Sequence, residues 1–385
     1  MLITFIYVRR WVIGISFALA GMVARAEFSA ERMVLVEPRL EGAAADRVRH
    51  WQEAVRSEAR DPVVAFEQLG WAYVKLGRES WDAGFFKLAE LTAQVMEATE
   101  GPIPAAQLLK GHALVQMHRF AEAEELAQAL VAQRGEPRDY ALLADATMEQ
   151  GKLAAAVAAC QQFVNRYPGL ESYARVAQLR WLHGDLAGAV AAMTEAVQAA
   201  GRDDAETTWW VQTRLAHFHF LTGNITAARH WTEQVLQRAP DYAPALLLRG
   251  RLALAEGQAA AAVTVLARAA QLNPLPEYRW WWAEALSTAG QADALARTEL
   301  ADRQDALTLD ALAWALCANQ ELAAARDAIN RALATGLDDA RVWLHAAVIA
   351  RQCGETETAA ERFAQARRLS LSLLPSERRL LPALD

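Results

Sequence analysis

The chain of 385 residues is 54% apolar and 22% charged, a balance that supports a packed core and excludes a disordered chain. Its 39 basic residues are outnumbered by 46 acidic ones, and the net charge of −7 excludes a general attraction to phosphate backbones, so no nucleic acid is expected among its partners. Three cysteines, Cys160, Cys317 and Cys353, lie too far apart for a disulfide scaffold or a zinc module, which leaves 13 tryptophans and an abundance of alanine as the unusual features.

The first element in chain order is an export signal over residues 1–26. Arg9 and Arg10 precede an apolar run over residues 11–24, and Ala24-Arg25-Ala26 supplies the small-x-small pattern of a cleavage site. The run is shorter than the roughly 20 residues that a spanning helix needs. Cleavage before Glu27 is therefore expected, with an uncleaved anchor as the alternative. No cysteine follows the signal, which argues against a lipid anchor, and no later segment is apolar enough to span a bilayer. The mature chain is expected to be exported, periplasmic or secreted, with no stable membrane span.

Residues 27–60 form a linker and a capping helix, with Val48, Trp51 and Val55 at near-helical spacing. From there the chain repeats. The turn-plus-alanine signature His118-Arg119-Phe120-Ala121-Glu122-Ala123 recurs at Gly151, Gly184, Gly223, Gly257, Gly290, Gln320 and Gly354, at spacings of 33, 33, 39, 34, 33, 30 and 34 residues. An earlier, longer step of 41 residues leads back to Gly77. Between signatures, apolar residues at three- and four-residue steps predict two amphipathic helices per unit. The glycine ends the first helix, Gly77 included, and the alanine sits where the two helices touch. Prolines such as Pro62, Pro104, Pro137, Pro168 and Pro274 fall at unit boundaries, outside helix interiors. Irregular spacing marks residues 202–208 and 289–313. Residues 370–385, Leu-rich with Pro375 and Pro382, form a tail that covers the last unit.

This pattern resembles the tetratricopeptide repeat family. The first unit shows Phe66, Leu69-Gly70, Tyr73 and Gly77; the third shows Tyr140, Leu143-Ala144, Ala156 and Phe163, ending at Pro168; the sixth shows Leu246, Gly250, Ala262 and Ala269, ending at Pro274. About nine units cover residues 61–369. The resemblance implies an all-α fold, a right-handed α-solenoid of helix–turn–helix repeats with capping helices, whose concave groove is lined by the first helices. It also implies a non-enzymatic scaffold that binds extended protein segments.

Catalytic signatures are missing: the sequence has no Gly-rich phosphate loop, no His-Glu-x-x-His helix, no Cys-x-x-Cys and no acidic calcium loop. His217 and His219 stand two apart on a helix and face different sides, poor geometry for one metal. No enzyme activity, cofactor, metal or small-molecule ligand is expected. In the resemblance, inward positions include the residue after the motif's small residue and those three and four further on. In the first half of the chain these give Trp71, His112, Asp145, Glu149 and Trp181. The second half gives His217, Phe220, Arg251, Glu284, Trp314 and Arg351, and Trp280 joins the same face. The run Trp280-Trp281-Trp282 sweeps roughly 200° of helix surface, so one buried stripe cannot absorb it. It puts Trp280 toward the groove and Trp282 toward the core, with Trp281 partly exposed.

A carboxylate clamp would need Lys or Arg and Asn on adjacent inward faces, and this sequence does not supply them. The groove reads as mixed acidic and aromatic, with basic Arg251 and Arg351 toward the C-terminal half, and suits an extended peptide with apolar anchors and some positive charge. A carbohydrate-binding accessory role in polysaccharide secretion or envelope biogenesis is the alternative, with the tryptophans stacking on sugars.

Overall fold

The computed structural model describes residues 29–57, 61–201, 205–290 and 304–382. The expected leader lies outside them, as do parts of the two irregular stretches. Among the described residues every regular element is helical, as expected for an all-α repeat solenoid. The chain divides into two compact units, Met1–Tyr167 and Pro168–Asp385.

In the first unit, α1 (Ala30–Val34) and α2 (Ala43–Arg56) precede three helix pairs: α3 (Pro62–Ser80) with α4 (Gly84–Glu100), α5 (Pro104–Gln116) with α6 (Phe120–Gln133), and α7 (Pro137–Glu149) with α8 (Leu153–Arg166). Helix α2 packs on α3, and α1 packs on α4. The buried Gln52 amide ties this start together, donating to Val36 O at 2.8 Å and Tyr73 Oη at 2.9 Å, while Tyr73 Oη donates to Val34 O. Burial of the Tyr73 phenol pushes its pKa up to about 12, so it stays a donor at any ordinary pH.

The second unit continues with α9 (Leu170–Leu182) and α10 (Leu186–Gln198), α11 (Ala205–Leu221) and α12 (Ile225–Arg238), and α13 (Ala243–Ala255) and α14 (Ala259–Leu272). Then come α15 (Pro276–Thr288), the pair α16 (Ala306–Ala318) and α17 (Leu322–Ala334), and the pair α18 (Ala340–Gln352) and α19 (Thr356–Arg368). A 3₁₀ turn at Ser370–Ser372 and the short α20 (Pro375–Arg378) close the described chain.

Local chemistry sets these boundaries. Proline at the first or second position opens α3, α5, α7, α13 and α15, where its missing N–H costs nothing. Side-chain caps open others: Asp339 accepts from the N–H groups of Arg341 and Val342, and Asn224 from that of Ala227. First helices end in a left-handed residue. Gly151 has φ 72°, its N–H bonds to Met148 O at 3.0 Å, and the N–H of Lys152 bonds to Thr147 O at 2.9 Å. His118 and Gln320 hold the same backbone conformation, with φ of 59° and 64°, without glycine's freedom.

The expectation for Gly77 fails. Helix α3 continues past it to Ser80, and Trp81, with φ 60°, makes the turn. Gly77 instead lets α4 approach, since a Cβ there would stand 2.8 Å from the Phe86 ring. Close approach also explains the small residue of the motif: a Cβ at Gly70 would meet Leu109 at 2.2 Å, and one at Gly250 would meet Leu266 at 2.3 Å. The signature alanines, among them Ala123, Ala156, Ala189, Ala228 and Ala262, have no solvent exposure.

Among the described residues most first helices pack on their own second helix and also on the next first helix, as α3 does on α5, α5 on α7, α11 on α13, and α13 on α15. Successive second helices do not approach one another this closely. Each stack therefore curves with its first helices on the inside.

Candidate partner-binding groove

On the inner face of the first unit, Trp71 of α3 and His112 of α5 meet edge to face at 5.3 Å between ring centroids. Both are half-buried, and Trp71 rests on the core beneath α3. Asp145 of α7 is also half-buried, and Glu149, one turn on, is exposed. Lys75 lies one turn beyond Trp71 and is 3.9 Å from Glu79. This face is aromatic at α3 and acidic at α7.

The inner face of the second unit has a different character. Trp181 is half-buried against the core of α9 and α11, its ring 6.3 Å from Phe218. Arg214 of α11 donates to Gln178 of α9, and its guanidinium lies 5.3 Å over Phe218. One turn along α11, His217 sits between Arg214 and Arg251. Burial, and then these two cations, hold its pKa well below the usual histidine value. Arg251 of α13 has its guanidinium 5.3 Å over Phe220 and 4.4 Å over Trp281. Its Nε is buried with no hydrogen-bond partner among the described residues. Burial pushes the Arg251 pKa down to about 10; Glu277 and Glu377 oppose this, while Arg341 and Arg214 add to it.

Arg341, on α18, completes the cluster. Its Nη2 is 2.6 Å from Glu284 Oε2 of α15, its Nε is 3.6 Å from Glu377 Oε1, and its guanidinium lies 4.6 Å over the same Trp281 ring. Burial works against its charge, but Glu284, Asp310 and Glu377 outweigh it and raise the pKa above the usual arginine value. Beside it, His345 and Asp310 form a buried pair, with Nδ1 at 2.9 Å from Oδ1, and Trp314 stacks on His345 with centroids 4.0 Å apart.

Three expected groove residues are placed otherwise. Phe220 is 1% exposed, in an apolar cluster with Ala216, Leu248 and Leu252, and offers no surface to a partner. The same position of the motif, three residues after the first inward one, is also buried at Val74, Ser287 and Cys317. Trp280 donates its indole N–H to Thr308 Oγ1 at 3.1 Å, turning toward α16, and Trp281 takes its place in the groove. Arg351 is exposed but leans over Phe363 of α19, at 5.2 Å. His217, Arg251, Glu284 and Trp314 are brought together on one face with Arg214, Trp281 and Arg341, which the repeat positions did not single out. Arg214 and Arg341 add to the basic character expected here from Arg251, with Glu284 and Glu377 set against them.

Among the described residues no cluster of His, Cys, Asp and Glu is arranged to hold a metal, and no helix is long and apolar enough to cross a membrane.

Stacked helix pairs, reversed by left-handed residues and lined inside by first helices, define an α-solenoid of paired repeats. The Tetratricopeptide repeat family model matches residues 108–170. The match covers part of the chain, and the helix pairs on either side of it share the same repeat fold. Among solved structures it is similar to the APC/C hetero-tetramer Cut9–Hcn1, with a TM-score of 0.54 and 14% identity over 84% of this chain and 55% of that one. It thus spans about half the length of that relative. It is also similar to the human IFIT1 dimer with m7Gppp-AAAA, with a TM-score of 0.52 and 14% identity over 89% of this chain and 90% of that one. A tetratricopeptide repeat protein from Parabacteroides merdae ATCC 43184 aligns at a TM-score of 0.44 and 16% identity over 72% of this chain and 97% of that one. A comparison with curated proteins finds no match. Tetratricopeptide repeats serve in general as non-catalytic scaffolds for protein interaction.

Proposed function

We propose that this chain is an exported, non-enzymatic adaptor that holds extended protein segments along the inner faces of its first helices. The observation that carries the proposal is the set of large side chains kept half-buried on those faces: Trp71 against His112 in one unit, Arg251 and Trp281 in the other. Aromatic and arginine side chains of this kind supply rigid contact area and desolvated charge, the usual anchors of a bound chain. The sequence of residues 1–26 supports export. The likeness to the IFIT1 structure concerns fold, and the acidic balance of the chain does not favour RNA.

The test is a photo-cross-linking amino acid placed in cells at His112 or Glu149 on the inner face, and at Val157 on the outer surface of α8. The proposal expects protein adducts from the inner positions and few from Val157. Equal yields from both faces would contradict it. Selective binding of the purified protein on a polysaccharide array, with no protein adducts, would favour the carbohydrate-binding alternative instead.

A further inference from the structure

The segment after the last repeat does more than cover it. Leu373 joins the core of α18 and α19, with Leu344, Val348 and Phe363. Its neighbour Leu374, 6% exposed, enters the cluster formed by Ala216 and Phe220 of α11 and Leu248 and Leu252 of α13, with Trp281 packed against it. The segment therefore runs from the last pair, α18 and α19, back across the groove to α11 and α13. Three residues on, Glu377 stands 3.6 Å from Arg341 and within electrostatic reach of Arg251. Its other carboxylate oxygen accepts the Leu374 N–H at 2.8 Å, which fixes the spacing of the apolar and acidic groups.

The groove under this segment is built for more charge than it receives. Arg251 has a buried Nε with no partner, and the buried Nε of Arg341 finds Glu377 only at a distance beyond hydrogen bonding. A buried donor left unpaired is costly, and a carboxylate that reached it would gain the strength of a charge-assisted bond. The seated segment fills the apolar half of the site well and the polar half poorly.

We infer that residues 370–382 are a built-in, displaceable occupant of the second unit's groove, and that the partner of this groove is a protein segment carrying an apolar side chain followed three residues later by a carboxylate. The inference rests on the peptide-binding reading above and names the chemistry of its ligand. The partner's leucine-like side chain takes the Leu374 seat on Phe220 and Trp281, and its carboxylate closes on Arg251 and Arg341.

The probe is a fluorescein-labelled peptide with the sequence of residues 369–382, titrated by anisotropy against the full chain and against a Leu374→Ala/Glu377→Gln variant that loosens the resident segment. The variant is expected to bind the peptide at least tenfold more tightly than the wild-type chain. A peptide with lysine in place of its glutamate should lose at least tenfold. Equal binding to both proteins, indifference to the peptide's glutamate, or preference for a single-stranded oligonucleotide of similar length would overturn the inference. If the double variant loses its helical circular dichroism, Glu377→Gln alone, which keeps the apolar seat, should still gain about threefold, and no gain would overturn the inference. If inner-face cross-links form in cells while the peptide fails to bind the loosened chain, only this inference falls. Absence of those cross-links would overturn the groove reading itself.

Discussion

Replacing Arg251 by methionine should stabilise the protein while removing its affinity for an acidic peptide. Arg251 stacks on Phe220 at 5.3 Å and Trp281 at 4.4 Å, its Nε has no partner, and burial pushes its pKa down to about 10 against the pull of Glu277 and Glu377. A depressed pKa on a base means that the folded state disfavours its charged form, and this penalty is present in full at every pH below about 10. At 1.36 kcal/mol per pH unit, the cost of the buried charge is about 3 kcal/mol. Methionine keeps most of the apolar stem and loses cation–π attraction worth about 1–2 kcal/mol in total. The net expectation is a gain of about 1–2 kcal/mol, seen as a higher urea midpoint by circular dichroism and a melting temperature raised by about 2–8 °C. Affinity for the peptide of residues 369–382, measured on the loosened background, should fall at least tenfold. A loss of about 1 kcal/mol or more of stability would refute the reasoning, because it would make Arg251 a satisfied structural cation.

Further outcomes follow from the packing and the titrating groups. Gly250→Ala places a Cβ 2.3 Å from Leu266 Cγ, and overpacking of about 1–3 kcal/mol should outweigh the helix-propensity gain of about 1 kcal/mol, lowering the urea midpoint. Ala262→Trp, at a site with no exposure, should cost more, and an unchanged melting temperature would mean that the repeat register is wrong. His217 has a depressed pKa, so below about pH 6.5 the unfolded chain binds a proton that the folded chain resists. Stability should therefore fall as the pH is lowered from 7.5 to 5.5, and His217→Gln should flatten that slope in paired thermal melts. Gln320 adopts a left-handed backbone with φ 64°, so Gln320→Gly should be neutral or stabilising by up to about 1 kcal/mol in urea melts, against the usual trend for glycine near a helix.

The repeat architecture was legible because its determinants are local. A glycine that reverses the chain, an alanine buried between helices and a proline at a helix start each act over a few residues, so their period survives in the sequence. Gly77 misled because α3 runs one turn longer than its counterparts and the left-handed turn falls on Trp81. The groove was legible only in part. Counting inward positions from the small residue toward the C-terminus found His217, Arg251 and Glu284 but stopped at one end of the stripe. Arg214 and Trp281 lie three residues before His217 and Glu284, and Arg341 lies seven before Val348, on the same helical rows extended toward the N-terminus. Extending those rows would have found them. The pairing of Arg341 with Glu284 spans 57 residues and depends on how α15 and α18 meet, as does the seat of Leu374 among α11 and α13. No repeat period carries that information. The repeat pattern makes Phe220 and Arg251 equivalent inward residues, yet Phe220 packs against the next first helix, on Leu248 and Leu252.

The central claim is that a protein partner lies along the inner faces of the first helices. Hydrogen exchange of the full chain, alone and in complex with the protein captured by inner-face cross-linking, tests it most directly. Binding along the inner faces should add protection in first helices such as α5, α7, α11 and α13, together with faster exchange over residues 370–382 as the resident segment is displaced. Protection confined to second helices such as α6, α8, α12 and α14, with no change over residues 370–382, would contradict it.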